Sequence, residues 1–140
     1  MSASACRACR GEWPAAEAFI ADCGPAKAYL HDDQFFAGWT VVVLKRHVTE
    51  LYDLDRDERA ALMDAVSGVA RAVADVYAAV KMNYALLGNQ LPHIHWHLIP
   101  RAADDPVPRE AVWTHAHVPR ALSPGDQRTR IAALRTRLER

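Results

Sequence analysis

Neither sign of charge prevails in this sequence, because Lys plus Arg and Asp plus Glu each number 17. Without a cationic surplus there is no bulk field to hold a polyanion such as DNA, so no nucleic-acid partner is expected, although a small anion can still be bound locally. No apolar run approaches the roughly 18 residues of a membrane helix. The opening stretch "MSASACRACRGEW" also lacks the apolar segment of a secretory signal. Together these absences lead to the expectation of a cytoplasmic chain with no membrane partner. Cysteine is scarce, and three residues cannot all pair, so free thiols or a metal site fit better than a disulfide framework. Internal repeats and low-complexity tracts are missing too. What remains is an ordinary globular balance, 51% hydrophobic and 24% charged in 140 residues, which is the size of one domain with its own core.

Along the chain, residues 1–27 carry the cysteines without sustained periodicity and are expected to be irregular. Residues 28–36, "AYLHDDQFF", look like two short extended pieces about an Asp-Asp turn, and "WTVVVLKR" is a β-branched run expected to be a strand. Asp55 with Glu58 forms a capping-box pattern that opens a helix from about Arg56 to about Val80. Leu62, Val66, Val69, Val73, Val76 and Val80 give that helix one apolar seam, for packing on a sheet or for a second copy of the chain. "MNYALLG" reads as a strand, "NQLP" as a turn and "HIHWHLI" as another strand. Six of the eight prolines lie between Pro92 and Pro124, so the segment after Arg101 is expected to run over the surface as a loop. Ser123-Pro124-Gly125-Asp126 resembles a helix start, with Ile131, Leu134 and Leu138 as the stripe of a final basic helix. One domain results: residues 1–125 form its main body, including the N-terminal Cys-x-x-Cys segment, and residues 126–140 its C-terminal helix.

His93, His95 and His97 alternate with Ile94, Trp96 and Leu98. On a strand the three imidazoles share one face, about 7 Å apart along the chain, while the apolar residues go into the core on the other. Such a row can bind a metal, hold an anion, or transfer protons and phosphoryl groups.

"HIHWHLIPR" matches the signature of the histidine triad (HIT) family, and its Pro-Arg often follows in the diadenosine polyphosphate hydrolases of that family. The upstream stretch "GWTVVVLKRHVTELYDLDRDER" resembles bacterial members, so the resemblance covers roughly residues 28–101. It implies an α+β, HIT-like fold with a mostly antiparallel sheet of about five strands and the long helix packed on one face. It also implies a homodimer. The implied activity is nucleotide hydrolysis or nucleotidyl transfer at the α-phosphorus of dinucleoside polyphosphates or nucleoside phosphoramidates, through a covalent nucleotidyl-histidine. His95 takes the nucleophile's position, its tautomer set by the backbone carbonyl of His93, and a neutral imidazole is suited to that task. His97, the second catalytic residue, falls where the family contacts the phosphate or the bridging leaving-group atom. His31 stands where relatives hold the ribose with Asn, and Asn89 and Gln90 where they place polar groups on the α-phosphate. No organic cofactor is implied.

Two departures bear on substrate and rate: the turn before the triad is shorter and poorer in glycine than in many relatives. Moreover, many branches have Gly-His where this chain has Gly38-Trp39, so a phosphate-side contact from that histidine is missing. His115 and His117 repeat the His-x-His spacing among prolines and are expected to be loop residues that can close over a substrate.

Cys6 and Cys9 have the spacing of half a tetrahedral zinc site. In zinc-containing members of the family and in galactose-1-phosphate uridylyltransferases, such a pair is completed by a histidine after the second core strand and by the first triad histidine. By position those are His47 and His93, so the resemblance implies a structural zinc held by Cys6, Cys9, His47 and His93 that braces the catalytic strand. Cys23 is left as a small buried residue. Two other readings stay open: a metal-dependent hydrolase that uses the triad itself as ligands, and a non-catalytic nucleotide-binding module.

Overall fold

The computed structural model describes residues 1–140. Its regular elements are strands β1 (Phe19–Asp22), β2 (Ala26–Leu30) and β3 (Thr40–Leu44), helix α1 (Arg56–Tyr77), strands β4 (Lys81–Ala85) and β5 (His95–Arg101), and helix α2 (Pro124–Leu138). Short 3-10 turns occupy Ala3–Ala5, Ala16–Ala18, Leu51–Asp53 and Val112–Thr114. All five strands form one antiparallel sheet in the order β1-β2-β3-β5-β4. The expected α+β architecture is thus the observed one. No helix is long and apolar enough to cross a membrane.

α1 starts as its sequence demands. The Asp55 side chain accepts from the Glu58 amide at 2.8 Å, and Glu58 accepts in return from the Asp55 amide at 3.2 Å; caps of this kind stabilise a helix by about 1 kcal/mol. The seam residues Leu62, Val66, Val69 and Val73 are buried against Val42, Leu44 and Leu98 of the sheet, so the seam serves the core of one chain. α1 ends three residues before the expected Val80, because Ala78 turns left-handed (φ 50°) and the Val80 amide bonds to the Arg101 carbonyl at 2.9 Å. Val80 is 68% exposed. Sheet pairing took the residue that the periodicity assigned to the helix.

The other corrections have the same origin. Residues 1–27 are not irregular throughout, since they supply β1 and open β2, joined by a tight turn in which Asp22 caps the Gly24 amide at 3.1 Å. The expected second extended piece in residues 28–36 does not form; after Leu30 the chain folds into turns. β5 begins at His95, not His93, and extends through Arg101, while β4 stops at Ala85, short of the expected Gly88. α2 starts where its sequence says, with the Ser123 hydroxyl accepting from the Asp126 amide and Ile131 and Leu134 buried.

Both faces of the central strands are covered. β3 is buried at all five positions. Val42 pairs with Trp96 on the helix side, while Val41 opposite His97 and Val43 opposite His95 lie on the other. A second small core of Phe36, Trp39, Ile99 and Val112 forms on that histidine side. The N-terminal segment and the loop after Arg101 roof it, so the imidazole face, far from being solvated, is nearly closed.

Candidate active site and metal cluster

β5 and the bend before it divide the triad between two sites. His93 turns toward the N-terminal segment. Its Nδ1 lies 3.5 Å from both Cys6 Sγ and Cys9 Sγ and 3.1 Å from His47 Nδ1, and Cys9 Sγ lies 3.4 Å from His47 Nδ1. All four candidate ligand atoms fall within 4.8 Å of one another. A tetrahedral zinc with Zn–S of ~2.3 Å and Zn–N of ~2.0 Å requires S···N edges of roughly 3.5 Å and an N···N edge of roughly 3.3 Å. The protonation pattern fits as well. His93 Nε2 donates to the Leu44 carbonyl at 2.6 Å and His47 Nε2 to the Met1 carbonyl at 3.0 Å, so both rings turn unprotonated Nδ1 atoms toward each other and the sulfurs. A cation relieves that convergence of lone pairs, and carbonyl acceptors behind ligand histidines are the usual support. The cluster can therefore hold a metal ion.

His95 and His97 line a separate cavity of about 470 Å³. That is within the range of small-molecule sites. His95 Nδ1 donates to the His93 carbonyl at 2.7 Å. The Trp39 indole Nε1 donates to His97 Nδ1 at 3.1 Å. His31 also borders the cavity, its Nδ1 accepting the Asp33 amide at 3.0 Å and its ring stacked on Trp39 with centroids 4.1 Å apart. Burial lowers all three imidazoles from their ordinary range; for His95 it outweighs the opposing bond to the His93 carbonyl, and for His97, with His95 and His31 adding to it, the value is pushed down to about 3. At neutral pH these rings are uncharged.

Asn89 and Gln90 reach the same cavity from the turn before β5, with Gly88 and Leu91 beside them. Every residue named as catalytic or nucleotide-binding from the sequence thus lines one space. His115 and His117 do not. His117 Nε2 pairs with Asp33 at 2.7 Å, and its ring stacks on Phe35, so these two residues tie the loop down beside the cavity. Cys23 is half-buried and belongs to neither site.

Beyond the expected residues, the lining includes Trp13, Trp113 and Arg7. Trp13 meets His95 edge-on at 5.1 Å between ring centroids, and Trp113 meets His97 at 5.3 Å. Arg7 is the sole Lys, Arg, Asp or Glu side chain in the lining. For Arg7 a signal existed: it lies between Cys6 and Cys9, and tying both sulfurs to His93 must bring it to the start of β5. Trp113 had none, because its place depends on the loop after Arg101. That loop is held by the Arg101 guanidinium, buried and bonded to Asp105, Asn83 and the Val107 and Glu110 carbonyls.

A family profile described as HIT domain matches residues 15–104. The chain is 27% identical over 101 residues to Protein hit of Bacillus subtilis, an alignment covering 69% of this chain and 68% of that one. Among solved structures, a histidine triad protein from Bradyrhizobium japonicum superposes with a TM-score of 0.76 at 31% identity, covering 87% of this chain and 92% of its own. A Zn-bound histidine triad family protein from Mycobacterium smegmatis superposes with a TM-score of 0.72 at 22% identity, covering 99% and 96%, a likeness of fold.

Proposed function

The chain belongs to the HIT family, and from that premise we propose that it is a nucleotide hydrolase or nucleotidyl transferase. It acts at the α-phosphorus of dinucleoside polyphosphates or nucleoside phosphoramidates through a nucleotidyl-His95 intermediate. The observation that carries this reading is the bond from His95 Nδ1 to the His93 carbonyl. It puts the ring's one proton on Nδ1 and leaves the Nε2 lone pair for the cavity, in an uncharged and therefore nucleophilic ring.

The lining supports the remaining roles. His97 contacts the bridging oxygen or nitrogen on the leaving side. His31 Nε2–H donates to a ribose hydroxyl. Asn89 and Gln90, with the adjacent backbone, meet the α-phosphate, and Arg7 meets the negative charge beyond it. In the cluster we propose a structural zinc, which when bound would cross-link the N-terminal segment to the start of β5. No step of the reaction passes through it. What favours the covalent route over a metal-bound hydroxide on the triad is that both nitrogens of His93 are directed away from His95 and His97, to the cysteines and to Leu44. A homodimer is proposed on family grounds, and sedimentation as a monomer at micromolar concentration would remove it.

The deciding experiment uses a substrate with a chiral α-phosphorothioate. Two in-line displacements retain configuration at phosphorus, whereas single-step attack by hydroxide inverts it. Retention is expected, together with release of a nucleoside monophosphate from some member of a dinucleoside polyphosphate and phosphoramidate panel. Inversion would overturn the covalent route. Nucleotide binding without turnover of any member would favour the binding-module reading.

A further inference from the structure

Trp39 stands where the family resemblance pointed to a lost contact, yet its indole has a definite partner. An indole N–H can only donate. Its partner at 3.1 Å is Nδ1 of His97, and the two residues are 4% and 8% exposed. His97 Nδ1 must therefore offer a lone pair, which leaves the ring's single proton on Nε2. His95 is the reverse, since a carbonyl can only accept and so Nδ1 carries its proton. His31 Nδ1 faces a backbone amide and is an acceptor, so its proton also sits on Nε2. One lone pair thus shares the cavity with two N–H donors, and each assignment is set by the group behind the ring.

Trp39 is itself held firmly. His31 stacks on its face with only 7° between the rings, and the Gln34 side chain and the His31 amide both donate to its carbonyl, at 2.8 and 2.9 Å. Behind it, Gly38 has φ +94°, and a Cβ there would fall 2.7 Å from Pro100 and Tyr77. That spacing admits glycine alone without displacing its neighbours.

We propose that Trp39 is a positioning residue that locks His97 as a neutral Nε2–H donor, and that this lock makes the site selective for phosphoanhydrides over phosphoramidates. The inference rests on the reaction proposed above and narrows its substrate class. In the first displacement the His95 Nε2 lone pair forms the bond to the α-phosphorus. The bond from phosphorus to the bridging oxygen breaks, and its electron pair leaves on that oxygen. His97 donates a hydrogen bond to the departing oxygen and keeps its proton, because surrendering it would create an imidazolate. A departing phosphate is stable as an anion and needs no proton. An amine expelled from a P–N bond does need one, and neither His97 nor His31 can give it in these tautomers. The doubly protonated His97 that could serve as an acid is not populated near neutrality. In the second displacement a water oxygen bonds to phosphorus, the N–P pair returns to His95 Nε2, and the water's proton passes to solvent.

The first test needs no turnover, so it separates this inference from the proposed reaction. Two-dimensional ¹H–¹⁵N correlation of the histidine rings in the full-length, metal-loaded protein should show a single His97 tautomer protonated on Nε2. A proton on Nδ1, or a mixture of tautomers, would overturn the lock. The second test is Trp39→Phe, which keeps an aromatic ring and removes the donor. We expect mixed His97 tautomers and a fall in kcat on a diadenosine polyphosphate of roughly 100-fold, the scale for losing one preorganised donor. KM should change far less, and the wild-type preference for the anhydride over an adenosine phosphoramidate should shrink by about tenfold or more. If the variant does not fold, the wild-type tautomer and the wild-type preference still decide. A wild type that cleaves the amidate as fast as the anhydride, or a folded Trp39→Phe with unchanged preference, would refute the selectivity.

Discussion

The Cys/His cluster and the histidine-lined cavity are built from the same side chain turned opposite ways. In the cluster, His47 and His93 give their Nε2 protons to backbone carbonyls and direct Nδ1 inward. In the cavity, His31, His95 and His97 engage Nδ1 with the protein and leave Nε2 free. Two matched lone pairs beside two sulfurs suit a cation. An unmatched row of one lone pair and two donors suits an anionic centre that must be attacked and stabilised at once. The atom behind each ring therefore decides its chemistry more than its place in the His-x-His-x-His pattern does.

The largest expected effect breaks the cavity and spares the cluster. His95→Ala should lower turnover by roughly 10⁶-fold, the scale of losing a nucleophile, while zinc content, measured by elemental analysis, stays near one per chain. Activity near that of the wild type would put the nucleophile elsewhere. The converse variant, Cys6→Ser with Cys9→Ser, should lose the metal. A site occupied at about 1,000 times its Kd contributes about 4 kcal/mol, so calorimetry should show unfolding lowered by roughly 10–15 °C. Full occupancy after both substitutions would reassign the ligands.

Arg7 joins the two regions, being tethered by one and lining the other. Arg7→Ala should weaken nucleotide binding about tenfold, the value of one charge-assisted hydrogen bond to phosphate. The loss should shrink as salt rises, and calorimetric titration at two ionic strengths reads both. Equal affinity at low salt would leave Arg7 a rim residue.

The smallest expected effect concerns the tie between loop and cavity. The Asp33 carboxylate and the His115 carbonyl raise His117 above its ordinary range. Burial pushes Asp33 up, but the Arg120 amide, the His117 ring and the Phe35 amide outweigh it and hold Asp33 below its ordinary range. A raised histidine contributes stability in full below about pH 6.5 and loses it as pH climbs through the raised value. A lowered carboxylate contributes above about pH 4 and loses its share as pH falls through the lowered value. The tie should thus be firmest near pH 5–6. His117→Asn should flatten the upper side of that stability profile with little change in zinc content, and an unchanged profile would mean the pair carries no coupling.

Strong local patterns were legible. The capping box of α1, the Ser-Pro start of α2 and the β-branched run of β3 appear where the sequence puts them, and the alternation of β5 holds from His95 onward. Local patterns failed where pairing overrode them, as at Val80, which the helical period claims and the Arg101 carbonyl takes. β1 was missed because its four residues, Phe19–Asp22, are too few to show a period.

By itself the sequence determined the inventory and its first division: a histidine row on a strand, a cysteine pair with half a metal site, and a helix with one apolar seam. These are matters of spacing, and backbone geometry converts spacing into faces. Only the tertiary structure decided which nitrogen His47, His93 and His97 offer, that Trp39 replaces a missing contact with a different one, and that Arg7, Trp13 and Trp113 line the cavity. The physical reason is that the tautomers of those three rings and the pocket's walls depend on partners tens of residues away. Trp39 and His97 are 58 positions apart, a separation that no local periodicity spans.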